Sequence, residues 1–170
     1  QRLMAYHHEV RAGYWNQRSQ GAIRELHNLT MGIIGNGVLG TAMAQMARSL
    51  GMSVIVSARR TNSQSDILLP LDEVLSRSDV VSLHVPLSEQ TRGMIGLREL
   101  RLMKAHAFLI NVSRGAVVDN VALAHVLKEG HLGGAFIDVL DQEPPPSEHP
   151  LISLDLPNLI LSPHMAWGSF

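Results

Sequence analysis

The sequence contains no cysteine, few aromatic residues (4%) and only 17% charged residues. The lack of cysteine excludes disulfide scaffolds, thiolate nucleophiles and cysteine-based zinc sites. Its 14 basic and 15 acidic side chains leave a formal net charge of -1, without runs of like charge, so neither nucleic acid nor a membrane surface is an expected partner. No apolar stretch approaches the roughly 20 residues that cross a bilayer, and residues 1–10 lack a signal-peptide pattern. We therefore predict a cytoplasmic protein.

The 170 residues, 45% of them hydrophobic, suffice for one domain that buries about 70% of its unfolded surface. Apolar runs alternate with helical patterns, which is typical of a parallel sheet covered on both faces. The sequence therefore predicts an α/β fold with a doubly wound parallel sheet. The predicted strands cover 29–34, 53–57, 79–85, 107–111, 134–139 and 159–161. The predicted helices cover 2–10, the segment up to residue 50, a short segment opened by Pro70, 97–103 and 121–129. Because the chain begins with Gln and stops after a motif-like segment, we expect a fragment of a longer polypeptide.

A glycine-rich turn lies between the first predicted strand and the helix that follows it. It contains Gly35, Gly37 and Gly40, with Val38 and Leu39 between the last two. A glycine at the second position lets the backbone approach a pyrophosphate, and the helix N-terminus adds free N–H groups and a positive dipole. A tight turn without a ligand is the alternative, but the flanking strand and helix favour dinucleotide binding by these five residues.

The end of the second predicted strand indicates which dinucleotide is bound. NAD-binding domains usually carry an Asp or Glu there, about 20 residues after the glycine-rich turn, for the ribose hydroxyls. In this sequence that position is Ala58, and Arg59 and Arg60 follow it. Two guanidinium groups suit a 2′-phosphate, so NADP is favoured over NAD, although two solvated surface arginines are the alternative. We also assign Pro86, at the end of the 79–85 strand, to the cofactor site.

Three polar side chains follow predicted strands whose carboxyl ends meet at one crevice: Arg114, Glu143 and His164. The fork of Arg114 suits bidentate binding of a substrate carboxylate, although a turn-stabilising Arg fits equally well. A carboxylate bound to a histidine favours the imidazolium, an acid that can protonate a carbonyl oxygen. Without a partner, a lone His is more often structural, and from the residues alone Glu143 is more often an acidic loop residue with no role. The other eight histidines show no metal-ligand spacing, and no metal site is predicted.

Four ordered motifs together resemble a known family. They are Gly35-Asn36-Gly37-Val38-Leu39-Gly40, the segment 111–119 (NVSRGAVVD), the segment 138–144 (DVLDQEP) and the segment 162–167 (SPHMAW). With these motifs the chain resembles the NAD(P)-binding domain of the D-isomer-specific 2-hydroxyacid dehydrogenases. The resemblance implies a single Rossmann-like cofactor-binding domain over 26–170, without its substrate domain. It also implies that a lead-in helix and arm over 1–25 packs on a second subunit, giving a homodimer.

The resemblance further assigns roles to four residues. Arg114 would bind the substrate carboxylate and polarise the keto oxygen, His164 would be the acid or base, and Glu143 would pair with it. Asp138 would hold the nicotinamide carboxamide. One departure is Asn120, which stands where the family usually has Glu and which we interpret as variation at a helix start.

The expected function is hydride transfer between NADP(H) and a small 2-keto or 2-hydroxy acid. Ala58 replaces the family's common acidic residue, as in members similar to NADP-dependent glyoxylate and hydroxypyruvate reductases, and the Ala166-Trp167 pair is similar to that of glycerate dehydrogenases. Glyoxylate and hydroxypyruvate are therefore the expected substrates. Formate dehydrogenases pair their His with an amide, whereas the register here gives Glu143 rather than Gln142. A dinucleotide-sensing protein like the related transcriptional corepressors, or an inactive truncated domain, remains the alternative.

Overall fold

Parallel strands form one sheet through the centre of the molecule in the computed structural model, which describes residues 2–16, 24–58, 67–166 and 168. Within those residues the sheet has seven strands in the order β3-β2-β1-β4-β5-β6-β7. The strands are β1 (Thr30–Ile34), β2 (Ser53–Ser57), β3 (Ile67–Leu68), β4 (Val80–Leu83), β5 (Phe108–Asn111), β6 (Gly134–Ile137) and β7 (Leu159–Leu161). The predicted doubly wound parallel sheet is confirmed.

One helix precedes the first strand, and four more lie between strands along the chain. They are α1 (Arg2–Arg11), α2 (Val38–Ser49), α3 (Leu71–Arg77), α4 (Leu97–Leu102) and α5 (Asn120–Lys128). Helix α5 begins after Asp119, whose carboxylate accepts hydrogen bonds from the N–H groups of Val121 and Ala122, both at 3.0 Å. This cap satisfies two N–H groups that would otherwise lack a partner at the helix start.

The sequence misplaced some element boundaries. The strand predicted over 79–85 covers only 80–83, and the one predicted over 134–139 ends at Ile137, because the following residues leave the sheet to form loops. Strand β3 was not predicted: it has two residues, paired with Ile55 and Val56 of β2, too few to show an alternating pattern.

The two faces of the sheet bury separate apolar clusters. Neighbouring residues of a strand point to opposite faces, so Ile33 and Ile34 belong to different clusters. One face packs on α2, where Ala44 and Ala47 are almost fully buried. The other face packs on α3, α4 and α5, with Leu123 fully buried. Among the described residues, no helix has the length and apolar character needed to span a bilayer.

The strand order determines at which edge of the sheet a ligand site is expected. Strand β1 lies between β2 and β4, so the chain direction along the sheet reverses there, and ligands of such sheets bind at the carboxyl ends of the strands beside that point. On the same edge, Asn111, Ile137 and Leu161 are aligned across β5, β6 and β7. The segments that follow these three residues therefore emerge side by side.

Candidate active site

The glycines of the turn after β1 are of two kinds, those with close neighbours and one with open space beside it. Gly35 has φ +95°, and a Cβ there would lie 2.5 Å from the carbonyl oxygen of His84. A Cβ on Gly40 would lie 2.0 Å from the carbonyl oxygen of Gly35. By contrast, nothing lies within 4 Å of the position a Cβ would take on Gly37. Gly35 and Gly40 are thus required by packing, whereas Gly37 leaves an open approach to the backbone.

Helix α2 presents its N-terminus at this opening. Gly37 is the N-cap residue and offers no side-chain cap, and Val38 and Leu39 are 87% and 72% exposed. The hydroxyl of Thr41 donates to Asn36 Oδ1 at 3.0 Å and so fixes the turn. Free N–H groups at a helix start bind phosphate oxygens, so these residues fit the pyrophosphate of a dinucleotide.

The structure describes only some of the other residues predicted to bind the cofactor. Strand β2 ends at Ser57, and Ala58 follows directly, so the position that the fingerprint gives to a carboxylate is apolar. Arg59 and Arg60 lie outside the described residues. The N–H of His84 donates to the carbonyl of Ile34 at 2.7 Å. The segment that runs on to Pro86 therefore leaves β4 beside the glycine-rich turn.

A buried asparagine shapes the turn that carries Arg114. Asn111, 1% exposed at the end of β5, accepts at Oδ1 from the N–H and hydroxyl of Ser113 at 3.1 and 2.9 Å. Its amide donates to the carbonyl of Arg114 at 3.1 Å. The Arg114 guanidinium donates to the Ser113 carbonyl at 2.7 Å and is exposed. Asn111 thus closes a local turn that presents the guanidinium to solvent.

Backbone contact joins this turn to the loop that carries Glu143. A Cβ on Gly115 would lie 1.9 Å from the carbonyl carbon of Leu140 and 2.3 Å from the nitrogen of Asp141. Only glycine permits so close an approach. The loop after β5 and the loop after β6 are therefore in direct contact, which places Arg114 and Glu143 on one cleft.

His164 and Glu143 form the predicted pair. Nδ1 of His164 lies 2.7 Å from Oε2 of Glu143, and the side chains are 40% and 35% exposed. The other carboxylate oxygen, Oε1, accepts from the N–H of Leu140 at 2.8 Å. Burial on its own raises the pKa of Glu143, but the hydrogen bonds from His164 and Leu140 outweigh it and hold the pKa below its usual range. Glu143 is therefore ionised at neutral pH.

Asp138 holds the segment in which His164 lies. Its carboxylate, 2% exposed, accepts from the hydroxyl of Ser162 and from the N–H groups of Met165 and Ala166 at 3.0 and 2.9 Å. The N–H of His164 donates to the Asp138 carbonyl at 2.8 Å. His164 has φ +50°, a left-handed conformation that is uncommon for a non-glycine residue. The bonds to Asp138 stabilise it here.

The three predicted catalytic side chains share one cleft. Arg114, Glu143 and His164 line a cavity of about 250 Å³, together with Leu87 and Leu140. Glu143 and His164 also line a second, larger and mostly apolar cavity of about 470 Å³, together with Asp138 and Pro144. The first cavity combines a cation, a carboxylate and an imidazole, which is the set that binds a carboxylate and moves a proton.

Sequence reasoning missed two contributors to this geometry, Asn111 and Ser162. An Asn at the end of a strand, followed by Ser-Arg-Gly, is a recognisable turn signal, so Asn111 could have been found. Nothing in the sequence marks Ser162 as a partner of Asp138, 24 residues away. Within the residues the structure describes, no group of three His, Asp or Glu side chains is placed to hold a metal ion.

The comparisons with known proteins agree on one family. Residues 1–166 match the family model "D-isomer specific 2-hydroxyacid dehydrogenase, NAD binding domain". A glycerate dehydrogenase of Methylorubrum extorquens is 44% identical over 172 residues, covering 98% of this chain and 54% of that protein. A glyoxylate reductase of Korarchaeum cryptofilum is 45% identical over 150 residues, covering 85% of this chain and 45% of that protein.

A solved structure shows the same architecture. The Aquifex aeolicus D-lactate dehydrogenase, complexed with NAD and lactic acid, superposes with a TM-score of 0.91 at 32% identity, covering 99% of this chain and 56% of that chain. The chain therefore spans about half the length of the relatives it matches.

The two kinds of glycine give a matched pair of variants. We expect Gly40→Ala to lower the free energy of unfolding by about 1–3 kcal/mol, because its Cβ meets backbone. We expect Gly37→Ala to change it by less than about 1 kcal/mol, yet to weaken dinucleotide binding about tenfold, or about 1.4 kcal/mol. Urea unfolding and fluorescence titration measure the two effects. Unchanged dinucleotide affinity in Gly37→Ala contradicts the assignment of this turn.

Asp138 makes stability depend on pH. Burial raises its pKa, but the hydrogen bonds from Ser162, Ala166 and Met165 outweigh burial and lower it. A carboxylate with a lowered pKa stabilises the fold above its unfolded pKa of about 3.9, and this stabilisation is lost as the pH falls through the folded value. We expect Asp138→Asn to lower the free energy of unfolding at pH 7 by about 1–3 kcal/mol. The difference from wild type should shrink below about pH 4.

Urea unfolding between pH 3 and pH 7 measures this difference. Asp155→Asn is the control, because it removes the same charge from an exposed position. A difference between wild type and Asp138→Asn that does not vary with pH contradicts the role given to the carboxylate.

Proposed function

This chain belongs to the D-isomer-specific 2-hydroxyacid dehydrogenase family, and we propose that it carries the cofactor site and the proton-transfer residues for reduction of small 2-keto acids. The observation that carries the proposal is the Glu143–His164 hydrogen bond of 2.7 Å in the cleft that Arg114 also lines. A bound, reduced dinucleotide would supply the hydride. Gly35, Gly37, Val38, Leu39, Gly40, Pro86 and Asp138 are the described residues assigned to hold it.

Arg114 binds the substrate carboxylate in this proposal. Its guanidinium is exposed and its hydrogen bond to the Ser113 carbonyl uses one of five N–H donors. The remaining donors suit a planar carboxylate in a bidentate arrangement. A neighbouring N–H of the same fork polarises the keto oxygen. Arg114 thereby orients the substrate and withdraws charge from the oxygen that is protonated.

His164 is the proton donor in this proposal. Glu143 binds Nδ1 and stabilises the imidazolium, since its own carboxylate is ionised at neutral pH. Nε2 has no hydrogen-bond partner within the described ranges, so it is the nitrogen available to the substrate oxygen. The imidazolium donates a proton from Nε2 as charge develops on that oxygen, and the reverse reaction returns the proton to the neutral ring.

Asp138 is proposed to contact the nicotinamide carboxamide as well as the 162–166 segment. Its Oδ1 accepts from Ser162 and Met165, whereas Oδ2 accepts only from Ala166 among the described residues. A carboxylate oxygen can accept more than one hydrogen bond. Oδ2 therefore retains the capacity to accept from an amide.

Glyoxylate and hydroxypyruvate are the proposed substrates. The relatives named glycerate dehydrogenase and glyoxylate reductase support this choice, as does the Ala166-Trp167 pair.

NADP is the proposed coenzyme, with NAD as the alternative. The support is that apolar Ala58 directly follows β2, where a carboxylate would repel a 2′-phosphate, and that Arg59 and Arg60 come next in the sequence.

A homodimer is also proposed, through the segment 1–25. Tyr14 and Trp15 at the end of this segment's described part are 69% and 82% exposed, and with Tyr6 and Val10 they line a hollow of about 160 Å³. Exposed aromatic side chains beside a hollow are typical of protein contact surfaces.

Kinetics of the protein at its natural length test the catalytic roles. We expect His164→Ala to lower kcat about 10²- to 10⁴-fold with glyoxylate or hydroxypyruvate, while the dinucleotide Kd is unchanged. We expect Arg114→Ala to raise KM as well, about tenfold or more, because it removes substrate binding. Consumption of NADPH and NADH by a panel of 2-keto acids is the measurement.

Two variants on α4 and α5 serve as controls. His125→Ala removes a histidine that lies 3.2 Å from Glu129, and Arg101→Ala removes an arginine paired with the same carboxylate; both should retain activity. Equal, minor effects of His164→Ala and Arg114→Ala contradict these roles. Dinucleotide binding without consumption in the wild type favours the sensor or the inactive domain instead.

The coenzyme proposal has its own test. Arg59→Ala should weaken NADPH binding about tenfold and leave NADH binding unchanged, because only NADPH carries the 2′-phosphate. Fluorescence titration with both nucleotides measures the two constants, with Arg101→Ala as a control of equal charge. If Arg59→Ala leaves the ratio of the two constants unchanged, the preference for NADP has another origin or does not exist.

A further inference from the structure

The Glu143 loop carries a second hydrogen-bonded group of side chains, formed by Asn120, Asp141 and His149, of which Asp141 also lines the cavity shared by Arg114, Glu143 and His164. Oδ1 of Asp141 accepts from the Asn120 amide at 2.6 Å and lies 2.8 Å from Nε2 of His149. Asn120 and His149 are buried, at 7% and 6% exposure, whereas half of the Asp141 side chain is exposed. One surface carboxylate is therefore bound by two buried donors.

The direction of these bonds follows from the third partner of the histidine. Nδ1 of His149 accepts from the N–H of Leu151 at 3.2 Å, so that nitrogen carries no proton and Nε2 is the donor to Asp141. Burial raises the pKa of Asp141, but the hydrogen bonds from His149 and Asn120 outweigh it and lower the pKa. The carboxylate of Asp141 is thus the acceptor between two N–H donors.

Asp141 lies within the loop that aims Glu143. It stands between Leu140, whose N–H donates to Glu143 Oε1 at 2.8 Å, and Glu143 itself. The same stretch of backbone packs on Gly115. Asn120, in the first turn of α5, and His149, after the proline-rich segment, both bind Asp141 and so hold this stretch of backbone. The loop is therefore fixed by side chains at a point two residues from the carboxylate that binds His164.

We propose that Asn120 and His149 are positioning residues for the Glu143–His164 pair, acting through Asp141. This inference rests on the proposed function. Asn120 then has a role beyond sequence variation at the start of α5, because its amide donates to Asp141. A carboxylate at the position of that amide would repel Asp141. When the acceptor at 141 is lost, the loop loosens, and Glu143 no longer holds the ring of His164 in one orientation.

The test uses substitutions at 141 that separate geometry from charge. Asp141→Ala removes the acceptor, whereas Asp141→Asn retains Oδ1 for both donors. We expect Asp141→Ala, and likewise Asn120→Ala, to lower kcat about tenfold with KM and the dinucleotide Kd changed less than about twofold. Asp141→Asn should stay within about twofold of wild type. Glu148→Ala, which removes an exposed carboxylate from the same loop, should have no effect.

A second readout does not depend on turnover. The Nδ1–H proton of His164, when bound to Glu143, should give a resolved NMR resonance in the wild type and in Asp141→Asn, and should exchange too fast to be seen in Asp141→Ala. If the wild type lacks 2-keto acid reduction but this pattern appears, the proposed function fails and the positioning role stands.

Three results overturn the positioning role. One is an unchanged kcat together with an unchanged His164 resonance in Asp141→Ala. Another is an equal loss in Asp141→Asn and Asp141→Ala, which assigns the effect to charge. The third is a parallel rise of KM and Kd, which assigns it to general loosening. If Asp141→Ala does not fold, Asn120→Ala decides by the same measurements.

Discussion

The buried carboxylate of Asp138 is the contact on which the edge of the domain with the candidate site depends. It lies at the end of β6 and accepts hydrogen bonds from three groups of the segment that follows β7. Because β6 and β7 are paired in register up to Ile137 and Leu161, the two segments emerge at the same level, and one short side chain can tie them together. His164 lies in the middle of that segment with φ +50°. A strained backbone conformation persists only when several contacts determine it, and Asp138 supplies most of them.

Two further contacts bring Arg114 and Glu143 close to His164. Asn111 closes the turn before Arg114, and the absent side chain of Gly115 lets that turn rest on the backbone of Leu140 and Asp141. The N–H of Leu140 then binds Glu143. The cleft is thus built by loops in mutual contact at the ends of three adjacent strands. Groups far apart in the sequence reach one cavity because parallel strands release their loops at the same edge.

Much of this arrangement could be predicted from the sequence. Apolar runs that alternate with helical patterns indicated a parallel sheet, whose strand ends meet at one edge. The resemblance to the family then gave roles to Arg114, Glu143 and His164 before their distances were known. The hydrogen bonds that support the site across long sequence separations could not be predicted. The bonds of Asp138 to Ser162, and of Asn120 to Asp141, span 24 and 21 residues and leave no periodic trace in the sequence. Strand β3 was missed because two residues cannot display alternation, and Asn120 looked neutral because its partner stands in another loop.

The Glu143–His164 pair contributes orientation more than stability. Both side chains are more than a third exposed, and ion pairs accessible to water typically contribute about 0–1 kcal/mol. Asp138, by contrast, is buried and holds backbone, so its loss affects the fold. The group that holds the 162–166 segment and the groups proposed to carry the reaction therefore differ in burial: Asp138 is 2% exposed, whereas Glu143 and His164 are each more than a third exposed. A proposed proton donor has to reach substrate or solvent, and a deeply buried pair would be strongly biased toward one charge state.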